Sequence, residues 1–498
     1  MKRTEPDAIK NMRKGILNTF VLAGSPLLLL SSCTKKNAEN PNFIVFIADD
    51  VSRDDIGCYG NAVAKTPNID RLAASGIKFN NMFLTASSSS PSRNSIITGR
   101  YPHNTGGSEL HSTPPDHMVA FTEILKEKGY HTVQAGKFHM GPYARRGFDD
   151  INDNSKLNGD GGEALWLKCM KDRPPEKPFL MWFASYDAHR IWGPNEFTGT
   201  HNPSAITPPF YLAGGEGTKE DLAKYYDEIH RFDHYIGLVY EELIQQGVAD
   251  NTFIIIMADN GRPFPHSKTR VNDRGLRTPF IVHWPAGRGH KPQECTALLS
   301  AIDIAPTILE LAGAEIPEHI QGCSFTSLLH RPSEGFRNYV FAEHNWHDYE
   351  AHERMVRSDK FLYILNSRPQ FPQTGPADAI SSPSFRELDS LRQIAGLTSF
   401  QSDIFIAPRP SEEFYDCDSD PDQFDNIADN QDLSEVKNEM SKILKEWMQE
   451  TGDNIPDSIT KDWYERVPGN VKTKYHSIRG EPVDRKFNAT LINNKGMF

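Results

Sequence analysis

The sequence predicts an α/β fold, with a large, mostly parallel sheet sandwiched by helices and a smaller C-terminal α+β part carrying a short antiparallel sheet. Three apolar runs, at residues 43–48, 179–184 and 253–258, carry this expectation. None alternates with polar residues, so each reads as a strand buried on both faces. Each is followed at once by polar residues. Helical segments at 68–75, 121–128 and 219–246 fall between them. Strands alternating with helices build parallel sheets.

After a polar stretch at 1–11 come the basic Met12-Arg13-Lys14, an apolar run at 16–30 interrupted by Pro26, and Leu30-Ser31-Ser32-Cys33, so that Met1 and Met12 both stand as possible starts. This is the pattern of a lipoprotein signal whose cysteine is lipidated after cleavage, and the run is short for a transmembrane helix. It predicts an exported bacterial lipoprotein, periplasmic or at the cell surface, held to the membrane by its lipid anchor alone. The predicted organisation is a signal at 1–33, a tether at 34–41, a large catalytic domain at 42–334, a subdomain at 335–470 and a tail at 471–498. Thr218 with Asp221 reads as a capping box opening the 219–246 helix. Segments 280–284 and 303–311 continue the large domain. Strand-like pieces follow at 339–343 and 361–365. The Pro-, Gly- and Ser-rich stretch 367–384 reads as a long loop. The amphipathic segment 433–450 reads as a helix packed on the small subdomain as a lid.

The 498 residues carry a net charge of −12, which argues against nucleic-acid binding and makes an anionic substrate depend on local positive charge. Six cysteines contain no CxxC pair, and Cys33 aside, they leave room for one or two disulfides.

The chemistry concentrates in a few segments. In Ser89-Ser90-Pro91-Ser92-Arg93, Pro91 suits the first turn of a helix, which puts Ser89 where free N–H groups and the dipole favour an anion. Arg93 lies one turn on and can reach back. A serine hydroxyl attacks poorly unless activated. In open α/β sheets ligands bind beyond the C-terminal strand ends, where Asp49-Asp50 and Asp259-Asn260 fall. A hard cation needs several oxygen ligands, and these four with position 89 would supply five.

The run Ser89 to Arg93, continued by Asn94-Ser95-Ile96-Ile97-Thr98-Gly99-Arg100, resembles the activation signature of the type I sulfatases of the alkaline phosphatase superfamily. The resemblance implies that Ser89 is oxidised to formylglycine (3-oxoalanine), whose hydrate attacks sulfur. Serine rather than cysteine at this position implies a serine-type radical maturing enzyme. It also implies one calcium ion on Asp49, Asp50, Ser89, Asp259 and Asn260. Gly136-Lys137-Phe138-His139-Met140-Gly141 resembles the family's G-K-W-H-x-G, and Asp187-Ala188-His189 its D-P-H. By this resemblance Arg93 and calcium stabilise the hydrate, Lys137 and Lys268 hold the sulfate, His189 protonates the leaving group, and His139 takes the proton of the remaining hydroxyl as sulfate leaves.

Further segments resemble the sulfamidase branch, the N-sulfoglucosamine sulfohydrolases. These are Asp259-Asn260-Gly261-Arg262-Pro263-Phe264-Pro265, His189-Arg190, Ser382-Pro383-Ser384-Phe385, Glu343-His344, and Glu413-Phe414-Tyr415-Asp416 with Asp420-Pro421. They imply N-sulfate of glucosamine in heparan or heparin fragments as substrate, with His103, Arg190, Arg270, His344 and His347 as candidate sugar contacts. Lys268 stands where arginine is expected in that branch, and the run 269–275 also departs from it. The alternatives are an O-sulfatase of another polysaccharide, such as ulvan or carrageenan, and a glycan-binding lipoprotein silent in catalysis if Ser89 stays unmodified. A phosphatase or phosphonate monoesterase would need a second metal, and no D-H pair lies near Asp259.

Overall fold

The computed structural model describes residues 40–453, 459–466 and 489–498. Cys33, the signal segment and nearly all of the tether lie outside the described residues. Among the described residues twelve strands form two sheets. The first contains β1 (Asn42–Ala48), β2 (Ile77–Phe83), β3 (His131–Gly136), β4 (Asp150–Asn152), β5 (Phe179–Ala184), β6 (Thr252–Ala258), β7 (Phe280–His283) and β8 (Gln293–Ser300). Their spatial order is β4-β3-β5-β1-β6-β7-β2-β8. All neighbours are parallel except β7, which runs against β6 and β2.

The three apolar runs are the centre of this sheet, β5, β1 and β6, and every residue of each is buried. Helices cover both faces: Val45 and Ile47 face one apolar core, Ile44 and Phe46 the other. That is why these strands show no alternation. The edge strands are polar or half-exposed and were not legible as strands. The register aligns Ala48 with Ala258, and Gly136 with Ala184. The residues after β3, β5, β1 and β6 therefore emerge side by side on one edge. β2 points the same way, through its two antiparallel steps, and delivers the helix Ser89–Thr98 to that edge.

Gly136 ends β3 at φ 91°, and a Cβ there would meet the Ala184 carbonyl oxygen at 1.9 Å. Only glycine lets the chain turn here and deliver Lys137.

The long helix spans Glu216–Gln245 and is capped by Gly215, so Thr218 does not cap it. The Thr218 hydroxyl instead donates to Glu387 at 2.6 Å, and Asp221 is bound by Arg190. Both residues look like cap chemistry but are taken by tertiary partners. The stretch read as one long loop contains the short helix Ala377–Ile380 and the start of the helix Pro383–Gln393.

The second sheet is antiparallel, in the order β12 (Glu412–Asp416), β11 (Phe361–Asn366), β10 (Tyr349–Arg357), β9 (Val340–His347). The helix Ser434–Thr451 packs on it through Met440, Ile443, Leu444 and Trp447, with Trp447 stacked on Phe341. The five described cysteines are all unpaired. Among the described residues no helix is long and apolar enough to cross a membrane.

Candidate active site

The helix Ser89–Thr98 has the sequence SSPSRNSIIT, yet all ten residues are buried. Burying that much polarity is costly unless it is bonded. Ser90 Oγ accepts from the His111 amide at 2.8 Å, and Asn94 Oδ1 from the Tyr143 hydroxyl at 2.9 Å. Thr98 Oγ1 donates to the Asn94 carbonyl at 2.6 Å, and Ser89 and Arg93 face a cluster of charges at the helix N-terminus.

Ser89 Oγ sits 3.3 Å from Asp49 Oδ1 and 3.1 Å from Asn260 Oδ1. Asp49, Asp50 and Asp259 each bring a carboxylate oxygen within 4.8 Å of the others. Their exposures are 1%, 0% and 0%, so their mutual repulsion goes unscreened by water. Three cations offset it. Arg93 Nε donates to Asp259 Oδ2 at 2.8 Å, Lys268 Nζ to Asp50 Oδ2 at 2.7 Å, and Lys137 Nζ to Asp49. Lys137 Nζ is also 3.4 Å from Ser89 Oγ. The all-oxygen donor set of three carboxylates, one amide oxygen and position 89 fits a hard divalent cation. The backbone is held in strain here: Asp50, His139 and Thr269 have φ of 60°, 45° and 72°. Such outliers persist where surrounding structure enforces them, often at functional sites.

His189 follows β5 at the rim, its side chain 38% exposed. Its Nδ1 bonds the Arg190 carbonyl, which only accepts, so Nδ1 carries a hydrogen. Nε2 faces Asp378 at 3.7 Å and Asp50 at 3.9 Å. A proton on Nε2 is therefore the proton of an imidazolium, the form able to act as an acid. His139 is half-buried, with Nε2 2.7 Å from His111 Nδ1 and Nδ1 unpartnered. Burial, then the Lys137 ammonium and His111, hold it well below the usual histidine range, so it is neutral and able to accept a proton. Ser89, Lys137, His139, His189 and Lys268 line one cleft of about 970 Å³.

Comparison with known proteins gives the family. The family model described as Sulfatase matches residues 41–314, more than half the chain. The chain belongs to the sulfatase family. A second model, described as N-sulphoglucosamine sulphohydrolase, C-terminal, matches residues 266–364. An ulvan-active sulfatase of Formosa agariphila is 27% identical over 86% of this chain and 78% of its own length. The human N-sulphoglucosamine sulphohydrolase is 26% identical, over 88% of this chain and 95% of its own. A solved structure, described as a complex with its substrate D-glucosamine-2-N,6-O-disulfate, superposes with a TM-score of 0.67 at 21% identity, covering 84% of this chain and 100% of that one. That last likeness establishes the alkaline-phosphatase-like fold of this sulfatase.

The sulfatase disperses the predicted sugar contacts. His103 stands away from the cleft. It bonds Glu343 at 2.6 Å and Thr451 at 3.1 Å and lies against Tyr101 and Trp447, which ties the C-terminal helix to the nucleophile domain. Arg190 lines the cleft but is held by Asp221 at 2.7 and 2.8 Å, over the Trp192 ring. Arg270 pairs with Asp403, and His344 with Glu353; with His347 they line a small neighbouring pocket of about 50 Å³. His347 lines the main cleft too, its Nδ1 2.8 Å from Ser88 Oγ. Among the cleft residues that escaped the sequence reading are His111 and Asp378. Neither lies in a recognisable motif.

Beside the cleft, Glu163, Asp187 and Glu228 surround one guanidinium. Arg231 binds Asp187 twice, at 2.7 and 2.6 Å, and its Nη2 also donates to Glu228, so one cation serves three crowded carboxyls. Burial, then the Asp187 charge, push Glu228 from the usual 4.5 up to about 9, and Glu163 also goes well up. The folded chain thus keeps a proton that the unfolded chain loses. This contribution is complete in acid and lost as pH rises toward 9. The melting temperature is expected to fall between pH 5 and 9, and Glu228→Gln to flatten that slope; equal slopes in a thermal-shift titration would refute the assignment.

Proposed function

We propose that this sulfatase acts on sulfated glycans and removes the N-sulfate of glucosamine from heparan or heparin fragments, using a formylglycine made from Ser89. The observation that carries the substrate is the match of residues 266–364 to the C-terminal model of the N-sulphoglucosamine sulphohydrolases. This segment contains Lys268 and His347, whose Nδ1 lies 2.8 Å from Ser88 Oγ beside the nucleophile.

Calcium, held by Asp49, Asp50, Asp259, Asn260 and position 89, and the formylglycine hydrate would together supply the polarised oxygen nucleophile. The chain's own groups do the rest. Lys137 and Lys268 flank the position of the sulfate and offset its charge. Arg93 fixes Asp259, and its buried Nη2 lies 4.0 Å from Asp49. His189 delivers a proton to the departing nitrogen from Nε2. His139, neutral and half-buried in the cleft wall, receives a proton as sulfate is released.

A second reading is favoured by the Formosa agariphila relatives described as ulvan-active, one of them 29% identical over 85% of this chain. It keeps the mechanism and replaces N-sulfate by an O-sulfate. Sulfate release from N-sulfated and 6-O-sulfated heparan disaccharides, and from ulvan oligosaccharides, separates the two. The protein is co-expressed with a serine-type maturing enzyme. Release from the N-sulfated sugar is expected. Release from O-sulfated substrates alone would replace the first reading by the second.

A further inference from the structure

We infer that Asp378 recognises the leaving nitrogen of the substrate, accepting the N–H of an N-sulfated amine and holding the ammonium formed after cleavage. The inference rests on the N-sulfate reading above.

Asp378 lines the same cleft as Ser89, its side chain 19% exposed. Its Oδ2 lies 2.7 Å from Lys268 Nζ and 3.7 Å from His189 Nε2. The carboxylate therefore borders both the cation that faces the sulfate and the group that protonates the leaving atom. Its place is fixed from two sides. The Ala377 amide donates to Asp348 Oδ2 at 3.0 Å, and Ser384 Oγ donates to Asp221 Oδ2 at 2.6 Å, the same aspartate that holds Arg190. Its other oxygen accepts from the Ala379 amide at 2.7 Å. The Lys268 charge holds the Asp378 carboxyl far below its ordinary range, against the opposing effect of burial.

A negative charge at this point opposes the binding of any sulfate. Lys268 already bridges Asp50 and Asp378 at 2.7 Å each, so its ammonium takes the place a second cation would need. Beyond pairing Lys268, the carboxylate can bond the leaving atom itself only if that atom offers a hydrogen. The bridging oxygen of a sulfate ester has none. The nitrogen of an N-sulfated amine has one. On cleavage the N–S bond breaks with its electron pair left on nitrogen, sulfur passes to the attacking oxygen at position 89, and His189 supplies the proton that completes the amine. That amine takes a second proton from water at neutral pH, and the ammonium sits against Asp378. Both Asp378 oxygens keep a protein donor without substrate, from Lys268 and the Ala379 amide, so discrimination comes from the charge-assisted N–H bond that an N-sulfated amine adds and an ester cannot.

The test compares Asp378→Asn with the parent on N-sulfoglucosamine and on 4-nitrophenyl sulfate, whose phenolate leaves without an N–H. Both rates fall, because Lys268 and His189 lose a partner. The loss in kcat/KM on N-sulfoglucosamine is expected to exceed that on the aryl sulfate by about tenfold or more. Equal losses would reduce Asp378 to a support for Lys268 and His189 and overturn the inference. Product inhibition of the unaltered enzyme gives a second reading independent of the variant's folding. Glucosamine is expected to compete about tenfold more tightly than glucose, and equal inhibition would overturn the inference. Parent enzyme that releases sulfate only from O-sulfated sugars removes the N-sulfate reading and this inference with it. Parent enzyme that cleaves N-sulfate, with no differential effect of the variant, removes this inference alone.

Discussion

Ser89→Ala is expected to lower sulfate release by about 10⁴-fold or more while leaving the fold intact, since loss of a nucleophile removes most of an enzyme's chemical advantage. The neighbourhood makes the substitution a clean one. Ser89 is 2% exposed and opens a helix whose other nine residues are also buried, so alanine adds no volume. It also improves the intrinsic helix preference. What it removes is one hydroxyl that lies 3.3 Å from Asp49 and 3.1 Å from Asn260. Neighbouring serines cannot take over. Ser90 is committed to the His111 amide and Ser88 to His347. Mass spectrometry of the parent protein supplies the matching observation, a loss of two hydrogens at Ser89 when the maturing enzyme is present. Turnover by Ser89→Ala within tenfold of the parent would exclude position 89 as the nucleophile, and with it every role assigned around it.

The core of this arrangement was legible because strand burial and strand ends are both written in sequence. Fully apolar runs located β1, β5 and β6, and the polar residues after each proved to share one edge. The fold class followed from the same three runs. β2, β3, β4 and β8 were not found, since strands near a sheet edge lose the continuous apolar signal. The capping box at Thr218 misled for a related reason: a cap and a tertiary hydrogen bond use the same side chains, and Glu387, far away in sequence, decides between them. His103 misled because histidine beside a glycine- and arginine-rich motif suggests chemistry, whereas its acceptors Glu343 and Thr451 come from the other end of the chain. Asp378 was hidden by composition. A stretch rich in Pro, Gly and Ser reads as loop, and nothing local tells that one turn of helix within it leads a carboxylate back to Lys268.

Asp259→Asn is expected to remove calcium binding and most activity together, and it separates the metal from the chemistry because binding has its own readout. Asp259 Oδ1 accepts from the Asp50 amide at 3.2 Å and Oδ2 from Arg93 Nε at 2.8 Å. An asparagine must turn its amide nitrogen toward one of these donors, so one contact becomes a clash of N–H against N–H. Arg93, 0% exposed, loses its charged partner, and breaking a buried pair in this way costs about 3–5 kcal/mol. Calcium should raise the melting temperature of the parent, by an amount set by about 2.7 kcal/mol of added stability at a hundredfold excess over its dissociation constant. The variant should melt lower and show no calcium-dependent rise. The comparison that makes this decisive is Asp55→Asn. Asp55 is equally buried and also sits beside an arginine, its Oδ2 3.2 Å from Arg262 and 2.8 Å from the Tyr225 hydroxyl, but it stands outside the carboxylate group around Ser89. It should lose stability and keep the calcium response. If both variants keep it, the three aspartates beyond β1 and β6 do not hold the ion. If both lose it, the response reports general loosening of the domain, and the metal must be located by direct titration instead.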